Sequence, residues 1–131
     1  MEFLQPEGWA RPRGYSNGVA ASGRVVSVSG MIGWDAQGQF HTDDFAGQTR
    51  QALQNIVDVL AEADAGPQHI VRMTWYVVDK KEYIAAHKEI GAAYRDIIGR
   101  HFPAMTAVQV VALIEDRARV EIEVTAVVPA P

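Results

Sequence analysis

Residues 70–78 read IVRMTWYVV, a run of β-branched and aromatic side chains that predicts a strand. Successive side chains of a strand point to opposite faces of its sheet. Both faces of this strand carry apolar side chains: Ile70, Tyr76 and Val78 on one, and Val71, Met73, Trp75 and Val77 on the other. The pattern therefore predicts that the sheet has an apolar partner on each face.

A helix is predicted before this strand. Thr42 or Asp43 can cap its first turn, and the Gly66-Pro67 pair ends it. Apolar or small side chains recur along it at helical spacing: Phe45, Thr49, Ala52, Leu53, Ile56, Val57 and Leu60. Because these residues form one stripe, we expect the helix to pack on one face of the sheet.

A second helix and two further strands are predicted after residues 70–78. The helix runs from Lys80 to about Gly99, and the HFP sequence at 101–103 breaks it. The strands cover about 106–114 and 118–128, with a charged turn between them. Two helices that link strands by crossovers cover only one face of a sheet.

The N-terminal part predicts a hairpin. YSNGVAAS at 15–22 and RVVSVSGMIG at 24–33 read as its two strands, with a turn at Ser22-Gly23. Residues 1–14 contain two prolines and two glycines and read as an irregular segment. The remainder, 15–131, is expected to form a single α+β domain with the order ββαβαββ.

A second copy of the chain is the economical cover for the second apolar face of this sheet. With 131 residues the chain has enough length for one core, and it shows no internal repeat. The patterning therefore predicts an obligate homo-oligomer.

Composition excludes several classes of function. The net charge of −4 gives no indication that the chain binds nucleic acid or an anionic membrane. No apolar run approaches the roughly 20 residues of a membrane span, and the N-terminus does not read as a signal peptide. Cysteine is absent and the four histidines lack metal-ligand spacing, so we expect no metal, no cofactor and a cytoplasmic location.

The last strand carries the candidate catalytic group. Glu121 and Glu123 share one face of RVEIEVTAVV, opposite the apolar face. Two such carboxylates commonly belong to a solvated face or to cross-strand ion pairs. Burial of one of them would instead raise its pKa and suit it to acid–base work. His87 lies near the apolar stripe of the second helix, where residue type alone favours packing or a surface role.

Five short motifs together resemble the RidA/YjgF family, also called the liver perchloric-acid-soluble protein family. They are Y-S-N-G (15–18), V-S-G-M-I (28–32), Q-T-R-Q-A-L-Q-N-I (48–56), F-P-A (102–104) and V-E-I-E (120–123). The resemblance covers nearly all residues from Tyr15 to Val128. It implies a chorismate-mutase-like α+β fold with six strands, if the connecting segment adds a short one, and two helices on one face of a mixed sheet. It also implies a homotrimer whose sheets form a central barrel.

The resemblance implies a small-molecule ligand in clefts between subunits and the hydrolysis of reactive enamines and imines, such as 2-aminoacrylate. Glu121 matches the family glutamate that holds or activates water, and Tyr15 matches an aromatic residue of the cleft. Ser29 and Gly30 match a segment beside the ligand, and His87 falls near a position where relatives often carry Asn.

Met105 departs from the family pattern. Relatives with established deaminase activity place Arg after Pro-Ala, where its fork pairs with the substrate carboxylate. Methionine has neither charge nor donor, so the resemblance implies an altered substrate preference. Arg72 and Arg95 are candidates for a displaced cation.

Three functions remain open from the sequence. The first is a deaminase-type hydrolase acting on a different, less carboxylate-dependent substrate. The second is a non-catalytic trimer that binds a small metabolite in the same clefts. The third follows the nuclease label of the family, which the acidic balance of the chain disfavours.

Overall fold

The computed structural model describes all 131 residues and contains six strands and three α-helices. The strands are β1 (Glu2–Leu4), β2 (Gly18–Ala20), β3 (Arg24–Ile32), β4 (Ile70–Val77), β5 (Ala104–Gln109) and β6 (Val120–Val128). The helices are α1 (Phe45–Glu62), α2 (Lys80–Ala85) and α3 (His87–Ile97), with a 3-10 turn at Pro67–His69. None of the helices is long and apolar enough to cross a membrane.

Four of the strands form a mixed sheet in the order β3-β6-β4-β5. Strand β6 pairs antiparallel with both β3 and β4, whereas β5 runs parallel to β4 at one edge. Helices α1 and α3 pack against each other, and α1 also packs on β3 and β6. The α+β class, the mixed sheet and helices on one face agree with the predicted architecture.

The predicted N-terminal hairpin is wrong. Strand β2 pairs with β1, and β3 pairs with β6. Part of the segment predicted to be irregular, Glu2–Leu4, is therefore a strand. Gly23, expected in a tight turn, has a φ of 145°, and a Cβ there would lie 2.8 Å from the carbonyl carbon of Val128. Glycine at position 23 therefore allows the backbone to approach the end of β6 closely.

The predicted helix ends also change. Asp44, rather than Thr42 or Asp43, caps α1: its Oδ2 accepts a hydrogen bond of 2.8 Å from the backbone N of Gly47. The helix ends at Glu62, before the predicted Gly66-Pro67 stop. The second predicted helix is two helices, because Ala86 leaves α-helical geometry with φ −91° and ψ 12°.

A buried glutamine holds the loop that leads into β6. Gln48 is fully buried, and its Nε2 donates to the carbonyls of Thr42 (3.1 Å) and Arg117 (3.0 Å). Its Oε1 accepts from the backbone N of Arg119 at 2.8 Å. One side chain of α1 thereby fixes the residues that immediately precede β6.

The uncovered face of the sheet is more polar than predicted. A register shift between Ile70 and Arg72 places Ile70 in the core on the same face as Met73, Trp75 and Val77. The opposite face of β4 then carries Arg72, Thr74 and Tyr76. Simple alternation assigned Ile70 to the wrong face because it ignored this irregularity.

Val25 of β3 and Val108 of β5 are exposed apolar residues on this face, and others lie in a loop. Strand β5 ends at Gln109, not at residue 114, and the chain continues as a loop. Within that loop Val111 and Ile114 are fully exposed.

Candidate active site

A cavity of about 840 Å³ opens at the edge of the sheet, between β5, helices α2 and α3, and the segment before β2. Trp75, Met105 and Ala107 of the sheet line it. The helices contribute Tyr83, His87, Ile90, Gly91, Tyr94 and Arg95. The remaining wall consists of Arg13, Gly14, Tyr15, Arg100 and Phe102. More than half of these residues are apolar or aromatic, a composition typical of small-molecule sites.

The corner at Pro103 is held by contacts on two sides. The backbone N of Ser16 donates to the carbonyl of Pro103 at 3.0 Å, which places Tyr15 beside the corner. Phe102 stacks on Tyr94 with ring centroids 5.6 Å apart and planes 8° apart. The Tyr94 hydroxyl in turn donates to the carbonyl of His101 at 2.6 Å. Burial raises the pKa of Tyr94 well above its usual range, so it stays a neutral donor.

Three of the sequence-predicted site residues meet in this cavity. Tyr15, His87 and Met105 all line it. Met105 is half-buried and lies opposite Met73 in the parallel β4–β5 pair. His87 is exposed at the first position of α3. The position after Pro-Ala, which carries a thioether, is therefore part of the cavity wall.

The other three predicted site residues lie together elsewhere. Ser29 and Gly30 fall within an irregularity of β3 between Val28 and Met31, beside Glu121 of β6. A Cβ at Gly30 would lie 2.7 Å from Cδ and 2.9 Å from Cγ of Glu121. Glycine at this position therefore leaves the space that the Glu121 carboxylate occupies.

The two sets of predicted site residues lie on opposite faces of the sheet. Glu121 lies opposite Tyr76, on the face that the helices do not cover. Met105 and Ala107 pair with Met73 and Trp75, whose side chains are buried on the helix-covered face. Within one copy, Glu121 therefore does not line the cavity beside Met105.

Glu123 takes part in a side-chain hydrogen bond within the chain, whereas Glu121 does not. The Tyr76 hydroxyl donates to Oε1 of Glu123 at 2.6 Å, and this hydrogen bond raises the pKa of Tyr76. The Glu121 carboxylate is half-buried and takes part in no hydrogen bond or ion pair within the chain. It is the carboxylate of the pair that remains available to water or a ligand.

Of the two arginines predicted as candidates for a displaced cation, one lines the cavity and the other does not. Arg95 lines the cavity, whereas Arg72 is exposed on the uncovered face of β4 and does not. The structure adds Arg13 and Arg100, which sequence reasoning missed. No group of three or more His, Cys, Asp or Glu side chains forms a potential metal site.

The comparisons with known proteins place the chain in a family. The model of the family described as "Endoribonuclease L-PSP" matches residues 9–128, which is most of the chain. The chain belongs to this family, the RidA/YjgF family. The resemblance identified from the five motifs is thereby confirmed.

Named relatives within the RidA/YjgF family include imine deaminases. The chain is 31% identical over 114 residues to human 2-iminobutanoate/2-iminopropanoate deaminase, covering 86% of this chain and 79% of that protein. The bovine protein of the same name is 33% identical with the same coverage. A RutC family protein of Leuconostoc mesenteroides is 38% identical over 108 residues, with 78% of each chain covered.

Solved structures of the Rid family share the fold. YyfB of Yersinia pestis, described as a protein of unknown function, superposes with a TM-score of 0.85 at 32% identity. The match covers 97% of this chain and 98% of that one. YyfA of the same organism gives a TM-score of 0.69 at 31% identity over 97% and 98% of the two chains.

Proposed function

We propose that this chain hydrolyses a reactive imine or enamine in clefts between the subunits of a homotrimer. The observation that carries the proposal is the division of the site residues between two faces of the sheet. One copy supplies the cavity with Tyr15, His87 and Met105. The neighbouring copy supplies Glu121 from its uncovered face, together with Ser29 and Gly30.

Assembly gives this arrangement a physical basis. In a trimer the uncovered faces form a central barrel, which buries the polar face that carries Glu121. The loop residues Val111 and Ile114 are fully exposed in one copy, and their burial favours association. Glu121 would then leave bulk water and face a cavity of the next copy.

The chemistry needs few groups, because imines are already electrophilic. Water adds to the carbon of the C=N bond while the Glu121 carboxylate accepts one of its protons. The resulting carboxylic acid returns that proton to nitrogen, which gives a carbinolamine. The carboxylate then takes the proton of the new hydroxyl group and passes it to nitrogen as the C–N bond breaks, so ammonia leaves and the carbonyl product forms. Positioning the water beside the imine carbon supplies much of the acceleration.

Met105 sets the preference among imines. It offers neither charge nor donor to a carboxylate held at that corner. A small 2-imino acid therefore loses the contact that an arginine gives it in relatives, at a cost on the order of several kcal/mol. We infer a substrate that uses the apolar wall of the cavity. The net charge of −4 disfavours RNA as a substrate, despite the name of the family.

Ammonia release from a panel of imines tests the proposal. The imines are generated in situ from several amino acids, and Glu121→Gln is compared with the wild type. Glu123→Gln is the matched control, because it lies on the same face of the same strand and an amide oxygen still accepts from Tyr76.

We expect Glu121→Gln to lower the rate by a factor of about 10² to 10⁴ and Glu123→Gln to retain most of the activity. Ammonia release that persists unchanged in Glu121→Gln would contradict the assignment. Saturable ligand binding without release from any imine would favour the non-catalytic alternative.

A further inference from the structure

The charge of the cavity is opposite to that of the chain. Arg13, Arg95 and Arg100 line it, together with His87, and no carboxylate does. The chain as a whole carries 16 acidic and 12 basic residues. Because the formally charged residues of this wall are all arginines, although the chain is acidic, the wall indicates a site for an anion.

These three arginines have no partner within the chain. The arginine–carboxylate pairs of the chain involve Arg50, Arg117 and Arg119, all outside the cavity. By contrast, none of the three cavity arginines takes part in an ion pair or in a side-chain hydrogen bond. Their donors therefore remain available to a ligand.

Helix α3 leaves part of the cavity wall without a side chain, next to Arg95. His87, Gly91 and Arg95 recur every four residues and so share one side of the helix, spanning about 12 Å along its axis. Glycine is disfavoured inside a helix, yet Gly91 is half-buried at the middle of α3. Apart from its chain neighbours and the backbone of its own helix, a Cβ built on Gly91 meets only Nη1 of Arg95 within 4 Å, at 3.5 Å. The missing side chain leaves space that Arg95 borders.

The rest of the wall suits a ring-sized apolar group. Trp75, Tyr83, Tyr94 and Phe102 surround the space, and its volume of about 840 Å³ exceeds what a two- or three-carbon substrate needs. Trp75 is 2% exposed, and its indole Nε1 has no hydrogen-bond partner. Because this nitrogen is itself buried, Trp75 contributes an aromatic wall to the cavity and not a hydrogen-bond donor.

Resting on the proposed function, we propose that the substrate is a 2-imino acid with a bulky apolar side chain. Its carboxylate is bound by Arg95 and Arg100, with Arg13 at the rim. These residues take over the task that position 105 has lost. The side chain of the substrate lies against the aromatic wall, and Met105 contacts it as an apolar surface.

Binding of product analogues to the wild-type protein tests this assignment without requiring turnover. The probes for calorimetric titration are phenylpyruvate, pyruvate and phenylacetone, which respectively carry both groups, only the carboxylate, and only the ring. We expect phenylpyruvate to bind more tightly than either of the other two by a factor of at least about ten.

Two variants of α3 separate the charge from the fold. Arg95→Gln should weaken phenylpyruvate binding by about tenfold or more, whereas Lys88→Gln, which removes a charge from the same helix outside the cavity, should change it by less than about twofold. Gly91→Ala should raise the melting temperature, since alanine favours the helix, yet weaken phenylpyruvate binding by narrowing the space.

The outcomes distinguish this inference from the proposed function. Equal binding of pyruvate and phenylpyruvate, or equal losses in Arg95→Gln and Lys88→Gln, would overturn the inference even if imines are hydrolysed. Arg95-dependent binding of phenylpyruvate without ammonia release from any imine of the panel would uphold the assignment of the carboxylate and ring sites and refute the hydrolase.

Discussion

Replacing Gly30 by alanine tests whether Glu121 acts from the place where the fold holds its carboxylate. The backbone of Gly30 does not adopt a positive φ, so alanine introduces no strain of its own. The new Cβ would, however, lie 2.7 Å from Cδ of Glu121. Because the carboxylate is the free end of a flexible side chain, it is the group that moves.

The size of the effect follows from this distance. Two carbon atoms in contact prefer a separation of about 3.5 Å, so the carboxylate must withdraw by roughly 1 Å. A misplacement of that size at a reacting centre costs about 10²-fold in rate. The free energy of unfolding should change by less than about 1 kcal/mol, because the strand backbone is unaffected.

The assay measures ammonia release and fits kcat and KM separately for Gly30→Ala. Since Glu121 is proposed to position water and not to bind substrate, kcat should fall while KM changes little. Ser27→Ala, on the same strand but away from Glu121, is the control and should keep its activity. A Gly30→Ala variant with unchanged kcat would refute the assignment of Glu121.

Three further predictions concern the fold. Gln48→Met removes three hydrogen bonds to backbone groups and should lower the free energy of unfolding, measured in urea, by about 3 kcal/mol. Gln54→Met, on the exposed side of α1, should lower it by less than about 0.5 kcal/mol, and equal losses in the two variants would contradict this prediction. Thr49→Val should be at least as stable as the wild type, because the buried Thr49 hydroxyl has no partner, and a loss above about 2 kcal/mol would reveal a missing contact. Burial raises the pKa of Tyr83 and Tyr94 above the usual 10.0, so the stability that their neutral forms contribute is present below pH 10.0 and is lost as the pH rises through the folded pKa values. Ultraviolet titration should show these tyrosines ionising late and together with unfolding, and normal ionisation near pH 10.0 in the folded protein would contradict this prediction.

Local patterns in the sequence predicted the elements whose partners lie on one regular face. The stripe of α1 and the alternation of β6 both appear in the structure as buried faces. The family resemblance added the corner at Met105 and the aromatic Tyr15, and both line one cavity. These predictions succeeded because period and motif are properties of a few neighbouring residues.

The failures have non-local causes. The partner of β2 is the chain terminus, a pairing that no turn signal announces. The irregularity after Ile70 moves one residue to the other face without any glycine or proline to mark it. Arg13 and Arg100 reach the cavity from segments separated in sequence by three strands and three helices, so no local pattern connects them.

Subunit complementation tests the central claim most directly, namely that each site takes its carboxylate from one copy and its cavity from the next. Glu121→Gln lacks the carboxylate, and Gly91→Trp fills the cavity, so each variant alone should be inactive. When both are co-expressed and assemble at random, about a quarter of the clefts combine an intact Glu121 with an intact cavity. We predict ammonia release at about that fraction of the wild-type rate, and a mixture as inactive as its separate variants would contradict the shared site.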